Sequence, residues 1–302
     1  MTRPTPRTTA TQPAADQPGS APGVDALASR LGRVGVEVRT VAMVWRREII
    51  RFVRARSRIA TSLVHPMVLL FVLGVGLTPL VGPTDGVNFT KFLYPGVLAI
   101  SVVNTAVSST VSIVSDREFG FLREMLVAPV SRASLVIGKA AGGASVAVIQ
   151  GLIILILAPV VGIRLTVLTV IQVIGILLLM AFTMTTLGIF LAARTQKMET
   201  FQTILQFLLL PMLFLSGALF PLRGLPTWLS VITRINPLTY TVDPLRRVVF
   251  TAQHLPATAT ARYGSGVELF GTVLPIWSEL LITLGFAAIF LGGAVRAFGR
   301  TE

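Results

Sequence analysis

Leu165–Ala193 reads LTVLTVIQVIGILLLMAFTMTTLGIFLAA, 29 residues without one Asp, Glu, Lys or Arg. A helix gains about 1.5 Å per residue, so roughly 20 apolar residues cross the hydrocarbon of a bilayer, and a soluble core helix rarely runs so far uncharged. Outward from this stretch, the runs Ile59–Thr84, Phe92–Ser115, Ala140–Ile163 and Thr200–Leu222 are equally free of charge. A sixth run, Leu280–Val295, is shorter, but Trp277 and Glu279 before it and Arg296 after it can sit at the two interfaces. The expected fold is an all-α membrane protein with six transmembrane helices, at about residues 59–81, 92–115, 138–161, 166–193, 200–221 and 276–297.

The composition agrees: 53% of the 302 residues are hydrophobic and 13% charged, where a soluble domain carries about a quarter charged. A net charge of +13 would suggest nucleic acid in a soluble protein. Here the charge follows the membrane instead, and no nucleic-acid partner is expected. Of the 26 basic residues, 19 lie before Ile59, between Ser115 and Lys139, between Ala192 and Thr200, or after Val295. The alternate segments hold seven, five of them in the long stretch before the last span, where the rule is weak. By the positive-inside rule both termini are cytoplasmic, and the expected location is the bacterial plasma membrane. The chain has no cysteine, so it has no disulfide framework and no thiolate metal site.

Residues 1–29 are rich in Pro, Thr, Ala and Gly and read as a disordered cytoplasmic tail. Residues 30–58 read as an amphipathic interfacial helix: Val38, Val41, Ala42, Trp45, Ile49, Phe52 and Val53 recur every three or four residues, and Arg47, Arg51, Arg54 and Arg58 take the other face. In the second span Ser101, Asn104, Thr105, Ser108, Ser112 and Ser115 share one face, which either hydrogen-bonds a neighbouring helix or lines a substrate path. Gln202 and Gln206 repeat the theme in the fifth span. In the third, Gly138, Gly142, Gly143, Ala144, Ala147 and Gly151 let another backbone come close. Pro66, Pro159 and Pro211 are candidate kinks, and His65 is read as structural.

The chemistry of an ATPase is missing. Gly138-Lys139 is followed by Ala140 and lacks the glycine that a GxxxxGK[ST] loop requires, so the chain has no P-loop. Neither a metal site nor a catalytic residue is expected, since there is no HExxH, no GxSxG and no carboxylate pair. Lys139, Glu199 and Glu279 fall toward the ends of their spans, which argues against an ion-coupled carrier, because a carrier needs a titratable or coordinating group deep in the membrane.

Two segments remain. Residues 116–132 contain Arg117-Glu118-Phe119-Gly120-Phe121-Leu122-Arg123-Glu124-Met125-Leu126, then Pro129-Val130-Ser131-Arg132, a mixture of charge and large apolar side chains suited to docking on another protein. Residues 221–250 are interrupted by Pro221, Pro226, Pro237 and Pro244, and read as short broken helices at the outer face, with Trp228 and Tyr240 at the interface.

From about Val38 to Phe298 the chain resembles the ABC-2 type permeases, which include daunorubicin-resistance and nodulation or polysaccharide exporters. The resemblance rests on Arg-Glu-x-Gly-x-Leu-Arg-Glu-x-Leu-x-x-Pro-Val-Ser-Arg at Arg117–Arg132 and on Phe-Leu-Ser-Gly-x-x-Phe-Pro-Leu through Asn-Pro-Leu-Thr-Tyr-x-Val-Asp-x-Leu-Arg at Phe214–Arg246. It implies a transport subunit without its own ATPase site. The cofactors, ATP and Mg, would belong to a separate ABC ATPase subunit, and a second copy or a homologous permease would complete the assembly. It also implies that Arg117, Glu118, Phe121, Leu122, Arg123, Glu124, Leu126, Pro129 and Arg132 couple to that ATPase, and that Asn236, Pro237, Tyr240, Asp243 and Arg246 belong to an outer re-entrant hairpin. Ser101, Asn104, Thr105, Ser108, Gln202 and Gln206 are the candidate path. The expected function is export of a small amphiphilic substrate, with a drug or antibiotic first and a lipid or lipid-linked polysaccharide second. An ion-coupled carrier and a non-transporting scaffold are the alternatives of another class.

Overall fold

The computed structural model describes residues 22–76, 79, 89–119, 131–219, 226–253, 267–269 and 272–299. Its helices are α1 (Pro22–Arg54), α2 (Arg56–Val68), α3 (Phe89–Ser109), α4 (Val111–Glu118), α5 (Arg132–Leu155), α6 (Val167–Arg194), α7 (Met198–Leu215), α8 (Thr227–Ile235), α9 (Thr239–Thr251) and α10 (Ile276–Gly299). A two-stranded hairpin, Glu268–Leu269 paired antiparallel with Thr272–Val273, precedes α10.

Among the described residues five helices are long and apolar enough to cross a bilayer: α3 with α4 (Phe89–Glu118), α5, α6, α7 and α10. The first expected span differs from a plain helix. Two described segments, 35–54 and 59–75, meet at a 71° bend and make a sixth crossing only if read as one broken span. Beyond Pro66 the second of these widens into a π-helix, Leu69–Val75. Proline lacks the N–H that the α ladder needs, and a π turn is one way for the backbone to find other partners. The remainder of residues 59–81 lies almost wholly outside the described residues.

Other boundaries shift in an instructive way. The third span begins at Arg132 rather than residue 138, because Ser131 caps it: its hydroxyl accepts from the Ser134 N–H at 3.2 Å. Thr166 caps α6 through the Thr169 N–H at 3.4 Å. Lys139 therefore lies two turns inside α5, not at its end. Pro159 falls in a short 3-10 turn, Ala158–Val161, that closes on Gly162 with φ 75°.

Helix α5 occupies the centre, packed by α1, α3, α6 and α10. Lipid tails are as apolar as the helices, so close packing rather than hydrophobic transfer drives their association. The small residues of α5 make that packing possible. A Cβ on Gly138 would meet Val44 at 2.8 Å, and one on Gly151 would meet Val102 at 2.8 Å and Leu177 at 3.0 Å. Tyr94, Leu98, Leu177 and Met180 are fully buried around it.

Helix α1 is not a simple two-faced interfacial helix. It runs alongside α5, with Val44 over Gly138, Glu48 over Gly142, and the Trp45 indole N–H donating to the Ser145 hydroxyl at 3.0 Å. Its buried stripe is Thr40, Val44, Glu48 and Phe52, whereas Val38, Met43 and Val53 remain exposed. It also starts at Pro22, inside the stretch read as a tail.

The closest backbone approach lies at the other end of the bundle. A Cβ on Gly96 would fall 1.8 Å from the Ala218 carbonyl oxygen, a contact that only displacement of backbone could relieve. Gly96→Ala is expected to cost at least about 1–3 kcal/mol and to lower the thermal midpoint in detergent. Gly285→Ala, within α10 and with nothing within 4 Å of the new methyl, should hold the midpoint or raise it slightly, since alanine favours the helix over glycine.

Candidate functional site

The polar face of the second span opens onto a cavity of about 820 Å³. Ser101, Asn104, Thr105 and Ser108 line it from α3, and Thr61, Ser62 and His65 face them from α2. Most of these hydroxyls have spent their proton within the fold. Ser101 donates to the Val97 carbonyl at 2.7 Å, Ser109 to Ala106 at 2.6 Å, Thr61 to Ser57 at 3.0 Å, and Ser62 both to Ile59 and to the Gln150 amide oxygen at 2.9 Å. A hydroxyl that donates to its own helix keeps lone pairs for a ligand, so Ser101 and Ser109 present acceptors. Asn104, Thr105 and Ser108 make no side-chain hydrogen bond to the described residues, which leaves them available as well.

Gln202 and Gln206 do not join this wall. Both sit on the exposed side of α7, beside Ile204, Phe207 and Leu210. Only Phe201 and Leu205 of α7 are buried, so the helix attaches by a narrow edge and turns its amides away from the cavity.

Charge also lines the cavity. Glu48, Arg51 and Asp116 line it, and Lys139 stands behind the two carboxylates. Its ammonium lies 2.9 Å from the Ser112 hydroxyl, 3.3 Å from Asp116 Oδ2 and 3.5 Å from Glu48 Oε1. Arg51 is also 3.5 Å from Glu48 Oε1. That oxygen has no hydrogen bond of normal geometry, so charge rather than directional bonding holds it. Sequence reading missed this cluster. Glu48 is the one acid between Arg46, Arg47, Arg51 and Arg54, four residues after Val44, and that stripe faces the glycines of α5.

The described residues at the two ends of the expected docking segment, 116–132, have partners within the chain. Arg117 donates to the carbonyls of Ala193 at 2.9 Å and Thr195 at 3.1 Å, closing the end of α6. Glu118 accepts the Met198 N–H at 3.1 Å, at the start of α7. Arg132 donates to the Phe298 carbonyl at 3.0 Å, at the end of α10. Carbonyls at a helix C-terminus and N–H groups at an N-terminus lack helical partners, and they draw cations and anions respectively. Phe121, Leu122, Arg123, Glu124, Leu126 and Pro129 lie outside the described residues.

At the far end, the residues expected in a hairpin make a fold-holding network. The Asn236 amide donates to the Met212 carbonyl at 2.7 Å and its oxygen accepts the Leu238 N–H at 3.1 Å, joining α7 to the α8–α9 turn beside buried Pro237. Tyr240 donates to the Arg234 carbonyl at 2.6 Å. Arg246, 5% exposed, lies over the Phe92 ring at 4.4 Å and donates to the carbonyls of Gly217 and Ala218. Gly217 has φ 80°, a conformation that glycine adopts without strain.

Next to it Arg247 bridges Asp243 and Glu279, reaching Glu279 Oε1 at 2.6 Å and the Leu274 carbonyl at 2.8 Å. Glu279 is fully buried in the first turn of α10. Among the described residues no group of three or more His, Asp or Glu is placed to hold a metal.

A multi-pass helical bundle with a polar cavity against its second span and a broken-helix cap at one end is the architecture of a transport subunit. The comparisons agree with that class. Residues 39–250 match the family described as ABC-2 type transporter, and the chain belongs to that family. It is 35% identical over 161 residues to a putative transport permease, ycf38, of Cyanophora paradoxa, covering 53% of this chain and 56% of that one. It is 31% identical over 206 residues to Nodulation protein J of Rhizobium leguminosarum bv. viciae, covering 67% and 79%, and 29% identical over 258 residues to the ycf38 permease of Pyropia yezoensis, covering 84% of each.

Removing the cation between two buried carboxylates leaves uncompensated charge. Arg247→Met is therefore expected to cost about 3–5 kcal/mol, read as a lower thermal midpoint in detergent, and Arg247→Lys should recover part of the loss.

Proposed function

We propose that this chain is the membrane-spanning subunit of an exporter driven by ATP hydrolysis on a separate subunit. The substrate is an amphiphile whose polar head carries hydroxyl or amino groups. The single observation that carries this reading is the polar wall of the cavity, with Ser101, Asn104, Thr105 and Ser108 on α3 facing Ser62 and His65 on α2. Its volume lies within the range of roughly 300–1,000 Å³ common for small-molecule sites. A glycosylated drug and a lipid-linked glycan share that head chemistry, and the apolar remainder of either would suit a site bordered by lipid.

The basic end of the bundle is then cytoplasmic, and residues 120–130 dock on the ATPase, anchored by Phe121, Leu122 and Leu126 with Arg123 and Glu124 in polar contact. A homodimer supplies the second wall of the path. Family membership and the missing P-loop support the division of labour between two polypeptides. One observation favours a second reading, ion-coupled transport: Glu48 and Asp116 line the cavity and Lys139 pairs with both, and a carrier needs titratable groups along its path.

The test is co-purification with an ATPase from native membranes, followed by reconstitution in inverted vesicles. Daunorubicin and a fluorescent lipid-linked oligosaccharide serve as separate probes. ATP-dependent uptake of either supports export and picks the source of the head group. Uptake driven by a proton gradient without the ATPase supports the carrier, and neither sinks both.

Two variants refine the outcome. Glu124→Arg places a like-charge or unpaired contact in the docking surface and is expected to lower permease-stimulated ATP hydrolysis at least about tenfold. Asn104→Leu removes a polar group from the wall and is expected to lower uptake about tenfold while the ATPase still co-purifies.

A further inference from the structure

The charged cluster beside the cavity joins three elements. Glu48 belongs to α1. Asp116 and Ser112 belong to α4, the arm that leads into residues 120–130. Lys139 belongs to α5, the arm that leads out of them. One ammonium thus binds the entering arm, the leaving arm and the N-terminal helix together.

The packing brings these charges together. A Cβ on Gly142 would press on Glu48 Cβ at 2.8 Å, so only a glycine there lets α1 come near enough for Glu48 to reach Lys139. The three side chains are 7%, 14% and 17% exposed, which weakens screening by water. Lys139 is hydrogen-bonded to Ser112 and Asp116 on α4 and held to Glu48 on α1 by charge alone.

We propose that Glu48, Lys139 and Asp116 are positioning residues of the transport step: they clamp α1 to both arms of the 120–130 segment, so that the three move as one body. Displacement of α4 or α5 then reaches the cavity directly, because Glu48 and Asp116 are also part of its wall. The clamp rests on the ATP-driven reading above for its purpose, but not for its existence.

The chain has no native cysteine, so Met43→Cys on α1 and Ile137→Cys on α5, both at exposed positions, give a unique pair of spin-label sites. The labelled chain is diluted with unlabelled chain and measured by electron paramagnetic resonance, alone in lipid nanodiscs and with its ATPase, before and after ATP and vanadate. With the clamp intact a single narrow distance is expected, the same in both nucleotide states. In Glu48→Gln/Asp116→Asn/Lys139→Met, which keeps shape and removes charge, the distance should broaden and become nucleotide-dependent. Permease-stimulated ATP hydrolysis should fall at least about fivefold, the lower end of ordinary site-to-site coupling, and Lys139→Arg should restore both readouts.

A nucleotide-dependent distance with the clamp intact overturns the proposal. So does a narrow, unchanged distance in the neutral variant. If the neutral variant does not fold, Glu48→Asp shortens the reach by one methylene and keeps the charge; partial broadening supports the clamp and none overturns it. If no ATPase partner responds, the exporter reading fails, and the comparison in nanodiscs still decides whether the cluster holds α1.

Discussion

Along α5 the protein has given up side chains. Gly138, Gly142, Gly143 and Gly151, with Ala140, Ala144 and Ala147 between them, leave a helix that others can touch at the backbone, and the neighbouring elements each use that opening. Val44 and Glu48 of α1 rest on the first two glycines. Ser109 and Thr185 meet at the third, and Val102 and Leu177 meet at the fourth. In a bilayer, where apolar side chains gain little by leaving lipid for one another, such fit is the main source of cohesion. The position of α1 follows from it.

The polar content of the bundle is divided by this arrangement. At one end, hydroxyls that satisfy themselves on their own helices leave an acceptor surface facing open volume. At the other, Asn236, Tyr240, Arg246 and Arg247 donate to carbonyls of broken helices that would otherwise be unpaired at membrane depth. The first set is available to a ligand. The second is consumed by the fold, so the cap reads as rigid scaffolding and the cavity as the place for traffic.

Much of this was legible in the chain. Hydropathy found the long helices, since charge is excluded from lipid whatever the tertiary arrangement. The stripe from Ser101 to Ser108 was visible by its helical spacing, and it does line a cavity. For Gln202 and Gln206 the same spacing says only that two residues share a face, and α7 turns that face outward, away from this cavity. Arg117, Glu118 and Arg132 drew notice for their charge. Their polar atoms go to helix ends within the chain, partners that no local pattern could reveal.

What the sequence determined by itself is therefore the class: a chain too apolar and too long in its uncharged runs to live outside a membrane, lacking the loop that binds nucleotide, with the motifs of a permease. Tertiary structure alone decided where its buried charges meet. Glu48, Asp116 and Lys139 stand far apart along the chain, and neither composition nor period relates them. They come together because the glycine at 142 has no side chain to keep α1 away, and a contact made by the absence of atoms leaves little trace in a one-dimensional reading.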